Sequence, residues 1–118
     1  MPCVHEFGII PQLDDRYDYQ QYEPEKYDLV SVDDDLLDLW YPDISAVPTY
    51  FQQLTRPERG LARYGITLIP PESAERLAQI IENSALDADA ASQQELNELC
   101  ELLRTAYRLD KFVIHYGV

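Results

Sequence analysis

Apolar and β-branched residues gather at positions 4–10 (Val-His-Glu-Phe-Gly-Ile-Ile), and Pro11 closes the run, which predicts a first strand. Alternation within that strand puts Cys3, His5 and Phe7 on one side. From 14 to 28 the chain (DDRYDYQQYEPEKYD) has neither helical nor strand periodicity, contains Pro24 and holds no aliphatic residue. That pattern predicts a long loop, and loops of such length inside a compact domain often carry function. Residues 27–32 (YDLVSV) read as a second strand. Ser31 or Asp33 then caps a helix whose first turn stacks Asp33, Asp34 and Asp35, where the helix dipole favours acid. Leu36, Leu37, Leu39 and Trp40 form its apolar side, and Pro42 ends it.

Beyond Pro42 the pattern predicts a short helix from about Pro48 through Tyr50 and Phe51, then a turn at 56–60 (RPERG). Residues 61–69 (LARYGITLI) read as a strand, stopped by Pro70-Pro71, which pre-set the start of the next helix. That helix covers 73–83, with Ala74, Leu77, Ala78, Ile80 and Ile81 on one face. A small-residue connector (84–91) leads to Ser92, which with Glu95 spells a capping box. Leu96, Leu99, Leu103 and Ala106 mark the stripe of the longest helix, widened by Cys100, Leu102 and Tyr107. Residues 111–118 (KFVIHYGV) form a last strand, apolar on both sides, which implies that both its faces are covered. The order β-β-α-(α)-β-α-α-β predicts a single α+β domain over 1–118: a mixed, largely antiparallel sheet of about four strands with helices packed on one face.

Length and composition agree with one globular domain: 118 residues, 46% hydrophobic. Charge narrows the partners. Twenty-two Asp and Glu against nine Lys and Arg leave a net charge of −13 and a pI near 4.2. Nucleic acid and anionic membrane both need a basic face, so neither is expected as a partner. No apolar run reaches the roughly 18 residues of a membrane span. The first ten residues hold Glu6 and no base, unlike a signal peptide, so a cytoplasmic chain is expected, with Cys3 and Cys100 as reduced thiols.

The standard catalytic and cofactor signatures are missing. Four glycines (Gly8, Gly60, Gly65, Gly117) cannot form a dinucleotide or phosphate loop, and there is no G-x-S-x-G, H-E-x-x-H or C-x-x-C. No cofactor is expected. The Asp33–Asp35 run shares only its composition with a calcium loop, because it lacks a mid-loop Gly and runs directly into Leu36. One constellation remains. If the first and last strands pair, Cys3, His5 and His115 approach one another as candidate zinc ligands, and the histidines with Glu6 could serve acid–base chemistry. A small enzyme or metal-binding protein is therefore an alternative reading.

The main reading comes from residues 14–43. Eleven acids and two bases give this segment −9, most of the charge of the chain, and Tyr17, Tyr19, Tyr22, Tyr27, Trp40 and Tyr41 are interleaved with them. Aromatic rings dominate interface energetics, and carboxylates around them steer a cationic partner. Tyr17, Asp18, Tyr19, Tyr22, Glu23, Glu25, Trp40 and Tyr41 are the candidate binding residues, and a basic protein is the complementary partner. Packing of the tyrosines onto the sheet as a small core of the loop is the competing expectation. A third reading is a homo-oligomer joined through exposed Leu, Tyr and a sheet edge.

The segments His5-Glu6-Phe7-Gly8-Ile9-Ile10, Tyr22-Glu23-Pro24-Glu25-Lys26-Tyr27, Tyr64-Gly65-Ile66-Thr67 and Ile114-His115-Tyr116-Gly117 resemble a group of small acidic bacterial proteins. That resemblance brings no activity with it. In size and acidity the chain is also similar to immunity proteins that neutralise bacterial toxins, a likeness that implies a protein-binding role.

Overall fold

A computed structural model describes residues 4–13, 19, 24–34, 36, 41–62, 65–84 and 90–117, with the backbone alone at Pro24, Tyr41, Ser84, Ala90 and Ala91. Six strands form one sheet: β1 (Val4–Ile9), β2 (Val30–Asp33), β3 (Pro48–Phe51), β4 (Pro57–Arg59), β5 (Ile66–Ile69) and β6 (Val113–Tyr116). Their order is β2-β1-β6-β5-β3-β4, and every neighbouring pair is antiparallel. Among the described residues the helices with given bounds are a single turn, α1 (Tyr41–Ile44), and the longer α2 (Pro71–Ser84) and α3 (Ala90–Arg108), with a 3-10 turn at Pro24–Lys26. No helix among the described residues is long and apolar enough to cross a membrane.

The α+β class holds, but the sheet has six strands, all antiparallel, where a mixed sheet of about four is expected. β3 and β4 make the difference. Both open on proline, which lacks the donor a ladder needs and is tolerated at a strand's first residue or on an edge. Thr49, Tyr50 and Phe51 have strand-type side chains, and they win over the helical start that Pro48 suggests. β4 (Pro-Glu-Arg) is exposed at all three positions, a charged, proline-bearing edge that discourages further pairing. Pro42 also departs from expectation: it lies inside α1 rather than ending a helix. Asp33 closes β2, and Asp34 and Leu36 beyond it are helical. α3 begins at Ala90, so Ser92 sits inside its first turn instead of capping it.

Each face of the sheet carries its own core. On one side Phe7, Val32, Ile69 and Val113 meet Ala74, Leu77, Ala78 and Ile81 of α2 and Leu96, Leu99, Leu103 and Ala106 of α3. On the other, Ile66, Leu68, Ile114 and Tyr116 pack against Ile10 and Tyr19, bordered by Tyr27, Leu29, Tyr50 and Phe112. Among the described residues, loop and aromatic side chains border this second face. β5 and β6 are buried throughout, as the two-sided apolar pattern of 112–118 implies. Gly8 explains how the segment before β2 reaches the second face. A Cβ built there would stand 2.9 Å from both Leu29 Cδ2 and Tyr27 Cβ, so only glycine leaves room for that segment to lie on β1.

Candidate functional site

Strand register assembles a polar group inside the helix-covered core. His115 on β6 pairs with Phe7 of β1 on one side and Thr67 of β5 on the other, and His5 of β1 pairs with Val32 of β2. Paired residues share a face, so Thr67, His115 and His5 all point toward α2 and α3. Asp34, one residue past the end of β2, reaches back to the same place. The result is a chain of four side chains: Asp34 Oδ1 to His5 Nε2 at 2.6 Å, His5 Nδ1 to His115 Nε2 at 2.7 Å, and His115 Nδ1 to Thr67 Oγ1 at 3.1 Å. The backbone N–H of Ala62 donates to Thr67 Oγ1 at 2.8 Å and closes the far end. His5, Thr67 and His115 have 0% exposure, and the Asp34 side chain has 19%.

The carboxylate fixes the proton at one end of the chain. A carboxylate can only accept, so His5 carries its proton on Nε2 and donates to Asp34. With one proton on each ring, the bare Nδ1 of His5 accepts from His115 Nε2–H. His115 in turn presents a bare Nδ1, which accepts from the Thr67 hydroxyl. The ring centroids of His5 and His115 lie 5.0 Å apart with planes 12° from parallel. Combined with a 2.7 Å N···N contact, this is two imidazoles meeting edge to edge in nearly one plane, not a face-to-face stack. Phe7 closes over His115, ring centroids 4.8 Å apart. Burial pushes the His115 pKa well below the ordinary histidine value, and the neighbouring His5 adds to the shift. His115 is therefore a neutral imidazole, and the chain can hold or pass a proton between Asp34 and Thr67.

Of the zinc candidates Cys3, His5 and His115, the two histidines are described and face each other directly. The facing nitrogens of His5 and His115 lie 2.7 Å apart, and Asp34 sits on the opposite nitrogen of His5. Among the described residues no three His, Cys, Asp or Glu side chains could hold a metal ion; Cys3 lies outside them. Glu6 pairs with Tyr116 and Ser31 and so alternates to the opposite face. Asp34 takes the place beside His5 expected for it. Cys100 is a half-buried thiol whose Sγ lies 3.7 Å from the Ala78 carbonyl, and burial raises its pKa.

The acidic segment divides differently. Tyr19, one of the candidate binding residues, is 7% exposed within the second core, and its N–H donates to Gln52 O at 2.9 Å. Its ring is held by the sheet because a large apolar surface is worth more buried than presented to water. Tyr27 is half-buried and packs on Tyr116, ring centroids 6.5 Å apart. Glu25 on the 3-10 turn, Asp28 and Asp43 are exposed. Tyr17, Asp18, Tyr22, Glu23, Trp40 and the Tyr41 side chain lie outside the described residues. Glu25, Asp28 and Glu101 line an open groove of about 570 Å³ together with the cations Lys26 and Lys111 and the apolar Leu102 and Leu109. Tyr107 (47%) and Leu109 (58%) are the large apolar side chains exposed among the described residues.

Comparison with known proteins gives the chain no relative: no family model, no curated protein and no solved structure matches it.

Proposed function

We propose that this chain is a protein-binding module, an immunity-like or inhibitor protein that docks a basic partner through the acidic region 14–43. The observation that carries the reading is the concentration of −9 of the net −13 in thirty residues. Such a field draws a cationic partner and raises its rate of encounter. In support, the groove lined by Glu25, Asp28, Glu101 and Leu109 offers three carboxylates beside apolar surface, against two lysines, Lys26 and Lys111. Glu25, Asp28 and Asp43 are exposed.

The alternative of a small enzyme built on His5, Glu6 and His115 has the histidine pair but has Glu6 on the other face of the sheet. The docking reading is tested by capture from a lysate of the native organism on immobilised protein. A basic partner retained at low salt and released near 0.5 M, where screening acts over only about 3–5 Å, supports it if Glu25→Lys/Asp28→Lys abolishes retention and Leu109→Ser weakens it. A partner retained equally by wild type and the charge-reversed protein would remove the acidic region from the account.

A further inference from the structure

We propose that the Asp34–His5–His115–Thr67 chain is a one-proton latch that ties the acidic segment to the sheet and grips harder as the medium acidifies. The inference does not depend on what the acidic segment binds. It rests on the ordering of four groups across three strands and the start of a helix, with a carboxylate at one end only.

In the neutral state three protons serve three contacts: Thr67 O–H to His115, His115 Nε2–H to His5, and His5 Nε2–H to Asp34. When one proton enters, the ring of His5 carries hydrogen on both nitrogens. Its new Nδ1–H must find an acceptor, so His115 presents a bare Nε2 and moves its own proton to Nδ1. That Nδ1–H points at Thr67 Oγ1, whose two lone pairs then accept from His115 and Ala62 while its proton turns away from His115. Four protons are present and the three contacts persist, with two of them reversed in direction. The contact from His5 to Asp34 becomes a cation–carboxylate hydrogen bond, the stronger kind. A second proton has no such place, because it would set two cations 2.7 Å apart in the core.

Among the described residues, the surroundings confine the charge to this pair. On β1 and β2 the neighbouring carboxylates Glu6 and Asp33 alternate to the far face. From β6, Tyr116 faces the far side as well, and from β5 only the Thr67 hydroxyl enters. The core residues that α2 and α3 contribute above this face are Ala, Leu and Ile. The titratable group that borders them is the Cys100 thiol, which lies against the Ala78 carbonyl and which burial keeps protonated.

Histidine is present twice in the chain, so every imidazole signal belongs to the latch. The test is long-range ¹H–¹⁵N NMR of the two rings across the acid range, with hydrogen exchange of the Val30–Asp33 amides. At neutral pH both rings should be Nε2–H tautomers. On acidification of the still-folded protein, one ring should become doubly protonated while the other stays neutral and switches to Nδ1–H. The local openings that expose the Val30–Asp33 amides should then become about tenfold rarer relative to global unfolding. Asp34→Asn, isosteric and partly exposed, should abolish both the uptake and this change in the openings. An Nδ1–H tautomer of His115 at neutral pH, both rings charging together in the folded protein, or an Asp34→Asn protein that titrates like the wild type would each overturn the latch. The tautomers of the unsubstituted protein decide the matter even if the variant does not fold.

Discussion

A threonine hydroxyl has one proton to give and two lone pairs to fill, and Thr67 uses both capacities, accepting from Ala62 and donating to His115. Thr67→Val keeps the β-branched shape and removes the hydroxyl, leaving the Ala62 N–H and His115 Nδ1 without that partner. Urea unfolding should show a loss of about 1–3 kcal/mol, and a loss under about 0.5 kcal/mol would mean that the hydroxyl adds nothing to the fold. Tyr19→Ala should cost about 2–4 kcal/mol by emptying a place in the second core; an unchanged unfolding midpoint would return its ring to the surface. His115 sets the pH dependence. Its folded pKa is depressed, so its stabilising contribution is complete above the unfolded value of 6.5 and is lost as pH falls from there toward the folded value. Within that window the unfolded chain binds one more proton at this site, a slope of about 1.4 kcal/mol per pH unit. A flat stability profile between pH 6.5 and 5 would contradict a neutral buried His115.

At the scale of elements, the end of α3 shows how a local rule is met by an unfavoured residue. Asp110 has φ = 56°, its N–H donates to Tyr107 O, and Lys111 N–H donates to Ala106 O. This is the two-bond helix stop that usually places glycine at the left-handed position. Asp110→Gly should therefore raise stability by about 0.5–1 kcal/mol in thermal unfolding; a loss would show that the Asp side chain does more than tolerate the turn. Gly8→Val should cost about 1–3 kcal/mol by forcing Tyr27 and Leu29 off β1. The elements that are legible in the sequence are those with strong apolar periodicity: β1, β5, β6, α2 and the body of α3. β3 and β4 are not legible, because each opens on proline and β4 has no apolar residue to report a buried face. The site is half legible for a similar reason. His5 and His115 stand out as polar residues in apolar strands whose pairing brings them together. Thr67 carries the same mark within Ile66–Ile69, but a β-branched residue is ordinary in a strand. Asp34 is hidden inside a run of three aspartates that the helix dipole already accounts for.

For the molecule as a whole, the two cores and the buried chain act together on register. A slip of one residue in β6 would turn His115 into the second core and leave Thr67 and His5 without it, so the polar chain penalises every register but one. That rigid, two-faced sheet is the platform from which Glu25, Asp28 and Asp43 face the solvent. The most direct test of the docking account is the association rate of the captured basic partner, measured against ionic strength. The rate constant should fall steeply as salt rises, by about tenfold or more between 0.05 and 0.5 M, while the dissociation rate changes little, and Glu25→Lys/Asp28→Lys should flatten the dependence. An association rate indifferent to salt in the wild-type protein would contradict it.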